Sequence, residues 1–409
     1  MPDAPIHSLR RIAVPAFGPT VLSAVGTGAV MPIVVLSARD LGAGLGTAAF
    51  LVALIGIGQL AGDLPAGALA ARVGERAALL LACAMEAVGM AVSAVAPSVP
   101  VLAVAVTLVG VAGSVFGLAR QAYLTDAVPV ALRARALSTL GGVNRIGMFL
   151  GPFVGAAVVA RWGIGAAYVV GMLAALSALV LVLVAPDITS GHRLEERGQQ
   201  QRSVVSVLGE HRRTLATLGV GTLLISAARA SRTALVPLWA ESIGLSAAQT
   251  SLVFGFAGAV DMLLFYPAGA VMDRHGRMWV AVPSMLVLGG GLAALPLTHA
   301  MGTLTAVAVL LGIGNGIGSG LVMTLGADAS PPDARTQFLG GWRLMADGGN
   351  AMGPLLISAL TAVGPLAVAA VAMGGLAICG AGWLRVWVPR FDPRSRASLD
   401  AVRARRHGR

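Results

Sequence analysis

The sequence predicts an all-α membrane protein with twelve transmembrane helices in two pseudo-symmetric six-helix bundles. Three observations carry this. First, 56% of residues are hydrophobic and only 11% are charged, against roughly 25% charged in soluble domains. So few charges cannot cover a water-facing surface. Second, a spanning helix needs about 20 mostly apolar residues, and such runs lie near 12–37, 47–70, 77–97, 100–121, 138–160, 164–185, 215–239, 247–271, 278–299, 303–325, 338–361 and 365–388. Third, Pro65-Ala66-Gly67-Ala68 recurs as Pro267-Ala268-Gly269-Ala270, an offset of 202 residues.

The offset holds along the chain. It relates Arg10-Arg11 to Arg212-Arg213, and Gly151-Pro152 to Gly353-Pro354. It also relates Asp126, Pro129 and Arg133 to Asp328, Pro331 and Arg335. Matches in one register mark two copies of one unit. The expected organisation is an N-terminal bundle over 1–185, a cytoplasmic linker over 186–214, a C-terminal bundle over 215–389 and a basic cytoplasmic tail over 390–409. The linker holds His192, Arg193, Glu195, Glu196, Arg197 and three glutamines, which suit water. The tail is expected at the membrane surface or disordered.

The net charge of +11 does not point to nucleic acid, because the basic residues recur in short groups between apolar runs. All 29 are Arg, an associational hint of a GC-rich bacterial genome. With the N-terminus inside, 22 fall on the cytoplasmic side, only Arg39 and Arg161 fall outside, and five lie within spans. Positive residues favour the cytoplasmic face, so both termini are placed there, in a bacterial inner membrane. Arg10-Arg11 resembles a twin-arginine signal, but Arg212-Arg213 repeats it in mid-chain, so both read as anchors. Trp162, Trp239, Trp279, Trp383 and Trp387 sit near the expected interfaces. Cys83 and Cys379 lie within apolar runs, so neither a disulfide nor a metal site is expected.

The tenth run contains Gly312, Gly314, Gly316, Gly318 and Gly320. No strand precedes it, so it is read as a close-packing helix and not as a phosphate loop. Gly312, Gly316 and Gly320 are expected on one face.

Gly269-Ala-Val-Met-Asp273-Arg274-His-Gly276-Arg277, between spans eight and nine, resembles the signature loop of the major facilitator superfamily. Gly67-Ala-Leu-Ala-Ala71-Arg72-Val-Gly74-Glu75-Arg76 is its first-half partner, with Ala71 in place of the usual Asp and Glu75 in place of a basic residue. Gly147-Met-Phe-Leu-Gly151-Pro152-Phe-Val-Gly155-Ala156 in span five resembles the Gly-Pro motif of the twelve-helix drug:proton antiporters, with Ala156 in place of its last Gly. Many of these carry an Arg in the fourth span. Leu108 to Gly113 holds none, and Arg120 lies too near the cytoplasmic end. The resemblance implies a central cavity lined by spans one, four, seven and ten. Asp273 near the start of span five would meet a helix N-terminus, whose partial positive charge favours an anion, and with Arg274 and Arg277 it is expected to latch the outward-open state; plain positive-inside anchoring is the alternative.

Eight ionisable side chains lie well inside spans: Asp63, Glu86, Arg145, Arg229, Arg232, Asp261, Arg343 and Asp347. Exposing all of them to lipid would cost about 20–28 kcal/mol, more than a plausible net stability of ~5–15 kcal/mol. Most must face protein or water. Asp261 precedes Asp273 by twelve residues, so it lies about 18 Å from the loop at 1.5 Å per residue. With no partner adjacent in sequence, it is the leading proton carrier, with Asp347 and Asp63 as further candidates. A pair with Arg229 or Arg232 is the alternative. Arg145 and Asp347 are repeat partners and are expected to face each other. Arg343 precedes Asp347 by four residues and shares its helix face. A carboxylate that loses its cation in a dry cavity takes up a proton, the switch that proton coupling needs. Asp63 alternatively supports the gate, and Glu86 is read as a protonated or snorkelling residue. Arg145, Arg229, Arg232, Arg343 and Asn144 are candidates to meet a substrate, and Asn315 and Asn350 offer neutral hydrogen bonds.

The function expected is secondary active transport, as proton-coupled efflux of small amphipathic compounds or drugs by alternating access. The partners are a small-molecule substrate, protons and the bilayer, without nucleic acid, and the chain is expected as a monomer. A dedicated transporter of a single, anionic metabolite is the first alternative, and a transport-inactive scaffold or sensor the second. The sequence offers no nucleotide loop, nucleophile–base pair, cofactor motif or metal cluster, so neither an enzyme nor an ATP-driven pump is expected.

Overall fold

In the computed structural model, residues 7–128, 130–184, 204–331 and 334–406 are described. The linker before residue 204 lies outside this set, as do Pro129, the surroundings of Gly67 and the side chains of Arg10, Arg11, Asp126 and Arg133.

The described residues form twelve spanning helices. The first is bent, as α1 (His7–Val30) and α2 (Ile33–Asp40), with 41° between them at Met31-Pro32. Pro32 lacks the amide that would continue the ladder. Then follow α3 (Leu45–Val73), α4 (Glu75–Ala94), α5 (Val99–Ala127), α6 (Val130–Trp162) and α7 (Gly165–Val184). The second set begins with α8 (Val204–Glu210), α9 (Arg212–Thr214) and a π turn at Leu215–Gly219, which feeds α10 (Val220–Ser242). It continues with α11 (Ala247–His275), α12 (Met278–Ala294), α13 (Met301–Ile317), α14 (Leu321–Ala329), α15 (Arg335–Val363), α16 (Leu366–Phe391) and α17 (Pro393–Arg406). Ten helices are long and apolar enough to cross a membrane, and the bent pair makes eleven. The twelfth is α15, 29 residues long, which carries Arg343, Asp347 and Asn350.

The 202-residue repeat recurs in the helix bounds. Leu45–Val73 corresponds to Ala247–His275, and Val99–Ala127 to the combined stretch of α13 and α14. Gly42 and Gly244, and Gly74 and Gly276, are repeat pairs with φ of +83°, +80°, +92° and +99°. These turns need a residue without a Cβ.

Two compact units result. One holds the described residues of Met1–Gly44, Leu54–Gln199 and Ser246–Gly255; the other holds those of Leu45–Ala53, Gln200–Leu245 and Phe256–Arg409. In the first unit α6 lies along α1 through its glycines. A Cβ on Gly147 would stand 2.7 Å from Val21 O, on Gly151 2.6 Å from Val25 O, and on Gly155 2.9 Å from Ala29 O. The antiporter-like motif, with Pro152 buried in it, is thus a backbone-to-backbone seam. In the second unit Gly349 and Gly353 set α15 against Leu223 and Ala227 of α10 in the same way.

The described end of the linker is helical, and Leu208 of α8 fills the space beside Gly341 of α15. Among the described residues of the tail, α16 runs on to Phe391 and α17 follows after Asp392. One expectation is corrected. Gly320 leaves the packing face: Gly312 and Gly316 meet Ala257 and Asp261 of α11, but Gly320 sits at φ +79° with only Phe265 at 4.0 Å. It starts α14 after a break at Gly318-Ser319. The equivalent Phe116-Gly117-Leu118 lies within continuous α5, so the break belongs to the second copy alone.

Candidate functional site

The break gathers the mid-span polar groups of the second unit. A helix that stops inside a bundle leaves carbonyls and amides without intrahelical partners. Here side chains meet them. Ser284 of α12 donates to Gly314 O at 2.6 Å, Ser319 to Asn315 O at 3.1 Å, and Arg229 of α10 to Asn315 O at 3.1 Å. Asn315 donates its side-chain amide to Asp261 Oδ2 at 2.7 Å, and the Ser319 hydroxyl lies 3.4 Å from Asp261 Oδ1. Arg232 lies one turn from Arg229 on α10, and its Nε is buried without a hydrogen-bond partner. Asp261, Arg229, Arg232 and Asn315 are half-buried, and Ser319 is buried.

Further along the bundle, Arg343 Nε lies 3.4 Å from Asp347 Oδ2, and Asn350 donates to Asp347 Oδ1 at 3.1 Å. The expected same-helix pair is present. The two mid-span groups of this unit thus bring Arg229 and Arg343 to Asn315, Asp261 and Asp347.

In the first unit, Ser114 of α5 donates a short hydrogen bond to Asp63 of α3. Glu86 of α4 is 3% exposed and lies 3.2 and 3.3 Å from the Ser23 hydroxyl of α1. It points into the bundle and does not snorkel. Asn144 and Arg145 of α6 are half-buried.

The signature loops are built by their turns. In the first unit Arg72 is exposed, Gly74 turns the chain into α4, and Arg76 donates to Leu183 O at 2.7 Å. In the second, Gly269 has open space around it, and Asp273 and Arg274 are exposed. Arg277 does most of the joining: its Nε lies 2.9 Å from Asp328 of α14, and its Nη1 donates to Met272 O at 2.9 Å and to Asp273 at 3.5 Å.

The serines that complete these sites, Ser23, Ser114, Ser284 and Ser319, were not singled out from sequence. Only Ser319 had a readable signal, a hydroxyl between two glycines in a mid-span run.

Twelve spanning helices in two repeated sets, with charged groups at mid-span, define a transporter of the secondary, ion- or gradient-driven class. The chain matches the profile of the Major Facilitator Superfamily over residues 17–230 and again over 218–407, and it belongs to that family. No curated protein matches it. Among solved structures it is similar to a POT family transporter in complex with a thioalcohol-conjugated peptide, at 12% identity and TM-score 0.78, covering 93% of this chain and 96% of that one. It is also similar to a D-xylose–proton symporter, at 16% and 0.71, covering 94% and 98%. A third is a point mutant of the nucleoside transporter NupG, at 11% and 0.74, covering 90% and 99%. At these identities the likeness shows the fold. Members of this family are transporters of small molecules and not enzymes.

Proposed function

We propose that the chain is a proton-coupled secondary transporter of a small organic anion, with Asp261 as the switching carboxylate. The observation that carries this is the cluster at the α13–α14 break, where Asp261 is held by the Asn315 side chain and Arg229 donates to the carbonyl of that same asparagine. A solute carboxylate or phosphate that enters the cluster competes with Asp261 for the guanidinium groups. Bidentate pairing suits arginine to such a group. Asp261, displaced in a dry site, takes a proton. Proton and anion then travel together, which makes the cycle a symport and the natural direction uptake.

A second reading is efflux of lipophilic cations. The α1–α6 glycine seam, which resembles the antiporter motif, favours it. Here a cation and a proton would compete for Asp261 directly, and the exchange would be an antiport.

The test uses the purified protein in proteoliposomes with a pH-sensitive dye inside. A panel of small carboxylates and organic phosphates is added outside, and separately a lipophilic cation. We expect at least one anion to acidify the lumen and Asp261→Asn to abolish the response. Proton movement driven by the cation alone would replace this reading with antiport. Silence to both, from folded protein, would reject coupling through Asp261.

A further inference from the structure

The signature loop between α11 and α12 is also held from behind, by the chain's last helix. Asp392 ends α16 and accepts at two helix N-termini. For α17, it accepts from the Arg394 amide at 3.1 Å, the Ser395 amide at 3.3 Å and, in a short bond, the Ser395 hydroxyl. For α12, it accepts from the Arg277 amide at 2.8 Å, while Ser395 Oγ accepts from the Met278 amide at 3.0 Å. A carboxylate is favoured at a helix N-terminus by free amides and the helix dipole, and here one carboxylate serves two helices. Arg394 donates to Asp273 O at 2.7 Å, and Ser398 to His275 O at 2.9 Å. Gly276 leaves no room for anything else: a Cβ there would stand 2.5 Å from the Ser395 nitrogen.

The residue whose amide Asp392 fixes is Arg277, and the Arg277 side chain holds Asp328. Asp328 lies near the far end of α14, a nine-residue helix. That helix begins at Leu321, directly after the Ser319–Gly320 break that faces Asp261. A contiguous path therefore runs from α17 through Asp392, Arg277, Asp328 and α14 to the polar cluster. We infer that Asp392 is a positioning residue for the transport site, and that α17 is an input to it: docking of the tail sets Arg277, and Arg277 sets α14. The inference rests on the chain being a transporter, but not on the solute or on proton coupling.

Spatial continuity alone does not show coupling, so the test is a double-mutant cycle read by amide exchange on the full-length protein in nanodiscs. Asp392→Asn is expected to raise exchange about tenfold over residues 274–280 and also over 321–329, the effect of losing a charge-assisted hydrogen bond in a locally opening segment. In the Asp328→Asn background, the same change should still loosen 274–280 but leave 321–329 where Asp328→Asn alone put it. Ser395→Ala, a milder change that removes one partner of the Met278 amide, should act in the same direction. Unchanged exchange in 321–329 on Asp392→Asn overturns the proposal. So does an effect there that persists without Asp328, or loosening that extends equally through α15 and α16, which would make Asp392 merely structural. All these outcomes are independent of the proteoliposome assay, so failure here and failure of the anion reading are distinguishable.

Discussion

Asn315 donates its side-chain amide to Asp261 at 2.7 Å, while its main-chain carbonyl accepts from Arg229 at 3.1 Å. One residue therefore joins the acidic and basic sides of the polar cluster, by its side chain and by its backbone. Asn315→Ala removes only the acidic connection. The expected loss is ~1.5–3 kcal/mol, the usual value of a hydrogen bond to a charged group, with Arg229 still on the carbonyl. Thermal unfolding of Asn315→Ala beside Asp261→Asn checks it. Additive losses in the double variant would show that the two do not act as a pair.

The α1–α6 seam makes a sharp contrast between glycines of one helix. Gly151→Ala drives a methyl to 2.7 Å from the Ala29 amide nitrogen, whereas a Cβ at Gly142 meets nothing within 4 Å. Overpacking of this kind costs about 1–3 kcal/mol. Gly142→Ala should be neutral or stabilising by ~0.4–1 kcal/mol, because it restricts the unfolded chain without a clash. Unfolding midpoints of the two variants in detergent should move in opposite directions.

Gly320 is constrained by its backbone and not by its neighbours, with φ at +79° and the nearest atom 4.0 Å from a Cβ. Asn tolerates this conformation and β-branched residues do not. Gly320→Asn should keep the stability of the parent to within about 1 kcal/mol, and Gly320→Val should lose more. Equal losses would mean that space, and not φ, is limiting.

Asp392 sets a pH limit on the tail. Burial raises its affinity for a proton, but the Ser395 hydroxyl, the amides of Arg277 and Arg394 and the Arg277 charge outweigh this and hold it below the usual carboxylate range. A folded-state value below the unfolded one stabilises the fold above the unfolded value, and that contribution is lost as pH falls through the folded value. Docking of α17, read by amide exchange over 274–280, should therefore be constant from pH 7 to about 5 and weaken only below the ordinary carboxylate value near 4. Asp392→Asn should exchange faster than the parent from pH 7 to about 5, converge with it in acid as the parent carboxyl is protonated, and lose the acid dependence contributed by this group.

Most of the fold was legible because lipid imposes a simple rule on composition, and because a duplication writes each helix twice. Leu45–Val73 and Ala247–His275 follow directly from the repeat offset. The mid-span charges were legible for the same reason, since each interrupts an apolar run. What was not legible is where the copies diverge. The break at Gly318–Gly320 reads as one more small-residue stripe, because close packing and a chain break both call for glycine. Glu86 was open to a snorkelling reading because sequence gives depth along a helix but not the direction of a side chain, which the Ser23 hydroxyl reveals. The docking of α17 depends on Asp392 meeting residues more than a hundred positions earlier, and nothing in a basic, polar tail signals that.

The polarity of α15 has a consequence for how the chain is made. Arg343, Asp347 and Asn350 fall within the first 16 residues of a 29-residue helix that packs along α10 through Gly349 and Gly353. Charged residues near a helix centre oppose partitioning into lipid by ~2.5–3.5 kcal/mol each. α15 is therefore expected to enter the bilayer against helices already there, and α10, which precedes it by more than a hundred residues and packs along it, is the partner the packing offers. A lesion in α10 is then expected to show first as failed insertion of α15.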